Sequence, residues 1–395
     1  MEFCDIAQSL GITDYPEALD RVYAELPNYA IDICDTDLIA SLDDTMNVLA
    51  TNREAILQAA RDLRREPVRY LWGQTVAAYF SGASLDEIRT VPLPVAEGDG
   101  DPLLLLVLLS QLPAAIAEYR RRGLTEEDLR ITLGTFRGCT ETVRKITGVA
   151  GVDPRYFRWL CLYIKCTIFY YSGFNFEIRT FAPGCTVLKN KKTGELLPLM
   201  DGVTLHRSGM ILGAAGFEDP EGSREARLTE TADGYIGIPA IDGIAGGPAV
   251  TCSKEDWSVA VQPGDKVLSI HLPKGVDMSP EHLDAAFAGA LKLTTDYYPE
   301  ANIRAMACGS WLLDPHLEGL IGADSKICRF GARFARYPHL SAGREVFSFV
   351  FPPKSTDLNA LPENTRLERG LKKLYLEGGH IHAYCGVFLP AAEIL

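Results

Sequence analysis

KVLSIHLPKGVDMSPEHLDAAFAGALKLTTDYYPEANIRAMACGSWLL, residues 266–313, decides how the second half of this chain folds. KVLSIHLP has the short, β-branched and apolar character of a strand. Ser279, Pro280 and Glu281 then open a helix that ends near Tyr297, and NIRAMACGSWLL is a second strand. A helix with a strand on either side favours parallel pairing through a right-handed crossover. Within the first strand, the period of two puts Leu268, Ile270 and Leu272 on one face and Val267, Ser269 and His271 on the other.

Working outward, DPHLEGLIG reads as a short helix, and ICRFGARFARY and REVFSFVFP as two strands close enough for an antiparallel hairpin. Thr365 and Glu368 form a capping box for RLERGLKKLYLEGG, after which HIHAYCGVFL closes the sheet. Upstream, NFEIRTF and TVLKNKKTGELLPL are strand-like, with a hairpin turn at KKTGE. Residues 202–265 are rich in Gly, Asp, Ser and Pro, which predicts short strands and long loops.

Up to about residue 150 the pattern is helical. Thr51 and Glu54 predict a capping box for a helix to about Arg65, and Pro67 opens a helix that Gly82 ends. Thr125 precedes three acids, after which Leu129, Leu133, Phe136 and Val143 trace one apolar face. Asp153 and Pro154 start a helix running through YFRWLCLYIKCTIFYY. The expected architecture is α/β (α+β): a helical N-terminal domain over 1–153, then a mixed β-sheet domain flanked by helices over 154–395. A chain of 395 residues exceeds what a single core usually serves, which agrees with two domains.

The formal charge of −13 disfavours a phosphate backbone or an anionic membrane surface as partner. The opening MEFCDIAQSLGITDYPEALD lacks the basic start and apolar core of a secretory signal, so a cytoplasmic setting is expected. The apolar run Leu103–Leu109 falls well short of the roughly 20 residues a bilayer requires, and reads as part of a buried helix. The ten cysteines include no CxxC pair, which fits free thiols rather than zinc ligands or disulfides.

His271 stands at the carboxyl end of its strand, beside the loop PKGVDMS and the helix start at Ser279. Open α/β sheets bind ligands beyond such strand ends, and helix N-termini offer amides to anions. The plainer alternative is a histidine hydrogen-bonded in place. His380 and His382 share a strand face as metal ligands would, but no third ligand is identifiable, so no metal is expected. GIAGG at 243–247 lacks a capped helix after it and reads as a turn rather than a phosphate loop.

VLSIHLP, PKG, SPEHLDAAFAGALK, CGSWLLDPHLEGLIG and SKICRFGARF, taken in order, resemble the GNAT-like acyltransferase family, bacterial proteins with an N-terminal acyltransferase helical region and a GNAT-like C-terminal domain. YYSGFNFEI upstream and LPENTRLERGLKKLYLEGG downstream resemble the family's flanking segments. The resemblance implies two parallel strands that splay apart and admit the pantetheine arm of acetyl-CoA or another acyl-CoA. It places Leu272, Lys274, Gly275 and Ser279 toward the pyrophosphate, and counts Cys308 among the cofactor-side residues. Aminolysis of a thioester needs a base for the acceptor ammonium, donors for the oxyanion and an acid for the thiolate. His271 is the candidate base. Ser310 is the candidate acid or orienting group, Asp314 and Glu177 are secondary catalytic candidates, and Cys308 is either an acyl-cysteine relay or a buried structural thiol. The implied activity is acyl-CoA-dependent N-acyl transfer to an amine of a small molecule or peptide. HLPKGVDMS does not reproduce the Gln/Arg and small-residue loop of ordinary GNAT enzymes, so the competing reading is a non-catalytic ligand-binding protein with the same cleft.

Overall fold

The computed structural model describes residues 2–352 and 355–389. Two compact units divide the chain, Met1–Tyr170 and Tyr171–Leu395. The boundary falls later than the expected 153/154 because the helix Pro154–Ile164 packs on the helix Pro102–Arg122 of the first unit.

The first unit is built from α-helices, and its helix ends obey local capping chemistry. Asp101 caps Pro102–Arg122 by accepting from the Leu103 amide at 2.8 Å, and Gly123 ends it at φ 103°. All seven residues from Leu103 to Leu109 are buried. By length and composition this helix could cross a membrane, but 67% of its apolar window is buried, as in the core helix of a folded domain. Thr125 and Asp128 form a capping box for Glu126–Thr147, with Leu129, Leu133, Phe136 and Val143 buried as the spacing predicts. The helix expected after Thr51 starts instead at Arg53, without a side-chain cap. The 3-10 turn Ala50–Asn52 leads straight into it and Asn52 is already helical in φ and ψ, so the extended cap residue that a capping box requires is missing. The helix that begins at Pro154 ends at Ile164 rather than running on, and Ile168–Tyr171 is a strand.

In the second unit five strands lie side by side in one sheet: β1 (Phe174–Thr180), β2 (Lys266–His271), β3 (Ala305–Ser310), β4 (Ala335–Pro338) and β5 (Tyr384–Phe388), in the order β1-β2-β3-β5-β4. β2 and β3 are parallel, connected through the helix Pro280–Tyr297, and the other neighbours are antiparallel. Phe287 of that helix packs against Phe176 and Phe388, covering the sheet face that carries Leu268 and Ile270. The opposite face buries Val267, Ala305 and Val387 against Cys185, Val187 and Val261 of a second, antiparallel sheet. The KKTGE hairpin forms within that sheet, with Gly194 at φ 78°.

Two expected strands are corrected. The short helix Lys326–Gly331, capped by Ser325, takes up the first part of ICRFGARFARY, and strand is confined to Ala335–Pro338. REVFSFVFP contains the helical turn Phe347–Val350. Glu345 accepts from the Ala342 and Arg344 amides and so curls the chain, and Val346, Phe347, Val350 and Phe351 then pack at helical spacing against Leu371 and Tyr375. The expected hairpin is absent, and β4 pairs with β5 instead.

Candidate active site

β2 and β3 share only three Cα partners: Val267 with Ala305, Leu268 with Met306, and Ser269 with Ala307. Beyond these, Ile270 and His271 pair only outward, with Phe176 and Asn175 of β1. Cys308, Gly309 and Ser310 likewise pair only with Gly386, Cys385 and Tyr384 of β5. The sheet therefore opens between its two parallel strands at their carboxyl ends, and leaves backbone groups of both strands facing the gap.

His271 lines this opening. Its Nε2 lies 2.9 Å from Oε2 of Glu177, whose side chain is 8% exposed against 31% for the imidazole. The antiparallel register sets Glu177 opposite Ser269, so the carboxylate and imidazole share one face of adjacent strands. An ionised Glu177 fixes the tautomer in which Nε2–H donates, assigning the proton-accepting lone pair to Nδ1. Desolvating a carboxylate to this degree is costly without a partner, and the imidazole supplies one.

The remaining sequence candidates fall elsewhere. By register, Gly309 shares the face of His271, whereas Cys308 and Ser310 point to the other. The Ser310 hydroxyl accepts from the Leu312 amide at 3.2 Å, capping the turn Trp311–Leu313. Cys308 is 2% exposed, and burial pushes its thiol well above the ordinary range, which withholds the thiolate a relay needs. Asp314 is buried and accepts from three donors: the His316 amide at 2.8 Å, His316 Nδ1 at 2.8 Å and the His382 amide at 2.7 Å. His382 is buried, with no hydrogen-bond partner at Nδ1. Among the described residues no cluster of three His, Cys, Asp or Glu side chains could hold a metal ion.

Leu272, Lys274 and Gly275 lie in the loop after β2, with Gly275 at φ 82°. Ser279 is the N-cap of the helix Pro280–Tyr297, but its amide and hydroxyl both donate to Asp277, at 3.0 and 2.8 Å. Lys326 reaches the same carboxylate at 3.1 Å. These donors, Ser279 foremost, hold the Asp277 carboxyl down at about 2. Asp277, Lys326 and His316 were not singled out from sequence. The signal for Asp277 was an aspartate two residues ahead of a cap, and for His316 a histidine two residues after an aspartate.

Residues 38–166 match the family model of the N-acyltransferase N-terminal domain, and residues 200–388 match that of the GNAT-like C-terminal domain. Among solved structures, an acyltransferase in complex with decanoyl-CoA is 17% identical, covers 99% of both chains and superposes with a TM-score of 0.66. An acyltransferase in complex with CoA and 10C-teicoplanin is 16% identical, with 99% of this chain and 100% of that one covered and a TM-score of 0.64. At these identities the likeness is one of fold. No curated protein matches.

Proposed function

Because this chain belongs to the family that joins an N-acyltransferase N-terminal domain to a GNAT-like C-terminal domain, we propose that it is an acyl-CoA-dependent N-acyltransferase acting on the amine of a small molecule or peptide. The observation that carries this reading is the early end of β2–β3 pairing at Ser269 and Ala307. A thioester arm laid in the gap would find amides and carbonyls of both strands, which fix its orientation and offer donors for a tetrahedral oxyanion.

His271 would accept the proton of the attacking amine, with Glu177 orienting the ring and stabilising the imidazolium. Lys274 and the loop amides would face the pyrophosphate, next to the N-terminus of an 18-residue helix. The acyl-CoA supplies the activated carbonyl. Solved structures of similar fold carry octanoyl-CoA and decanoyl-CoA as well as CoA, so the donor range to examine runs from acetyl to decanoyl. Two of them carry teicoplanin or 10C-teicoplanin, which supports a small-molecule acceptor over a protein one. Ten free thiols fit a reducing, cytoplasmic setting for the reaction.

The test is release of free CoA from a series of acyl-CoAs with a panel of primary amines, with the product identified by mass. Amine-dependent CoA release supports the reading. Saturable acyl-CoA binding without release across the panel would leave a ligand-binding protein in its place.

A further inference from the structure

Breaking the C–S bond of an acyl-CoA puts an electron pair on sulfur, and a group protonated at neutral pH lowers the cost of that step. Neither sequence candidate on β3 meets the need. Ser310 is turned to the face opposite His271 and caps a turn, and Cys308 is sealed in the core. Four residues past Ser310, the turn Trp311–Leu313 brings Asp314 to the carboxyl end of the same strand. Its side chain is fully buried, and three donors fix its orientation. One of these is the ring Nδ1 of His316, a side chain 63% exposed, so the nitrogen on the far side of the ring is open to a ligand. Each splayed strand thus ends in its own histidine held by a buried carboxylate: His271 with Glu177 on β2, and His316 with Asp314 beyond β3.

We propose that His316, oriented by Asp314, is the general acid that protonates the departing CoA sulfur; this assignment rests on the acyl-transfer reading above. The amine nitrogen attacks the thioester carbon, a C–N bond forms, and the carbonyl π pair moves to oxygen. The nitrogen proton passes to His271. When that pair returns, the C–S bond breaks with its electrons on sulfur, and the proton on His316 Nε2 goes to sulfur. The products are an amide and a neutral thiol, with no change of oxidation state, and His316 is left neutral with Nδ1–H donating to Asp314.

The electrostatics agree with the geometry. The bond to Asp314 raises the His316 pKa above its ordinary value against the opposing effect of partial burial, which favours the protonated form the step requires. Around Asp314, the titratable and charged groups include Glu345, His380, His382, Tyr375 and Tyr384, with Arg344 and Arg336 beside the tyrosines. Burial pushes the His382 pKa down, so that ring is kept neutral beside the cation rather than repelling it.

The test compares the wild type with His316→Gln in amine-dependent CoA release across pH, with melting curves to confirm that the variant is folded. Expected is a fall in kcat of about tenfold or more at neutral pH, with KM for acyl-CoA nearly unchanged. The wild-type rate should also fall as pH rises through the raised His316 pKa, an alkaline limb that His316→Gln lacks. A folded His316→Gln with kcat within about twofold of wild type, or with the alkaline limb retained, overturns the assignment while leaving acyl transfer standing. A wild type that releases no CoA with any amine overturns the acyl-transfer reading itself and this assignment with it.

Discussion

Ser269 and Ala307 are the last residues that β2 and β3 hold in register, two short of His271 and three short of Ser310. A larger side chain on β3 should close the gap beyond them from within. Gly309 lies on the His271 face, and a Cβ there would meet only the Cys385 sulfur at 3.7 Å, an ordinary contact. Gly309→Ala should therefore fold and work nearly as the wild type does. Gly309→Leu should fold but raise KM for acyl-CoA about tenfold or more, because its side chain stands in the slot. Steady-state kinetics with melting curves decide this, and unchanged kinetics in Gly309→Leu would mean that the thioester does not lie there.

Glu177 and His271 should behave as a unit. His271→Ala removes the proposed base and should lower kcat by about a hundredfold or more, far beyond its effect on stability. Glu177→Gln keeps the shape but not the charge, and should lower kcat by about tenfold through loss of ring orientation. If the double variant is no slower than His271→Ala alone, the carboxylate acts through the imidazole. Parallel losses of rate and melting temperature would return His271 to a structural role.

Cys308 gives the opposite expectation. Its burial keeps the thiol protonated, so it should resist a thiol reagent in the folded protein, and Cys308→Ala should keep kcat within about twofold. An acyl-enzyme trapped on Cys308 by rapid quenching and peptide mass mapping would reinstate the relay.

How much of this could be read from the chain depended on the range of the interaction. Pro67 marks a helix start through its fixed φ, and Asp153 with Pro154, Thr125 with Asp128 and Thr365 with Glu368 do so through bonds spanning three residues or fewer; each was legible. The parallel pairing of β2 and β3 followed from a helix lying between two strands. The segments 326–334 and 344–352 misled because short aromatic-rich runs satisfy both strand and helix spacing. Their contacts with Leu371 and Tyr375, which lie further along the chain, settle the choice. At the site, the strand-end position of His271 was legible, but its bond to Glu177 spans 94 residues and depends on the β1–β2 register. The Asp314–His316 pair is local, yet DPH read as a helix start, which is what Asp314 also provides through the His316 amide.

The helix that backs the gap should be the main source of rigidity in this sheet. Phe287 is 4% exposed and packs edge-on against Phe174 and Phe176, with Phe388 5.4 Å away. Phe287→Ala should cost about 3–5 kcal/mol by chemical denaturation. Phe287→Leu, which keeps most of the volume, should cost about 1–2 kcal/mol. A loss below 1 kcal/mol for the alanine variant, with two-state unfolding intact, would show that the helix is not seated on the sheet as described.

Asp277 makes the loop after β2 sensitive to acid. Its folded pKa, about 2, lies below the ordinary carboxylate value of roughly 3.9. A depressed carboxylate contributes order that is fully present above the unfolded pKa and is lost as pH falls through the folded one. The ties from Asp277 to Ser279 and Lys326 should therefore persist at neutral pH and weaken only between about pH 4 and 2. Because the side chain is solvent-exposed, the consequence is local: the Ser279 amide should lose protection from hydrogen exchange in that window while the core strands keep theirs. Asp277→Asn should abolish that acid transition at Ser279, and a Ser279 amide that exchanges equally fast at neutral and acid pH, after correction for intrinsic rates, would show that the carboxylate does not hold the start of this helix.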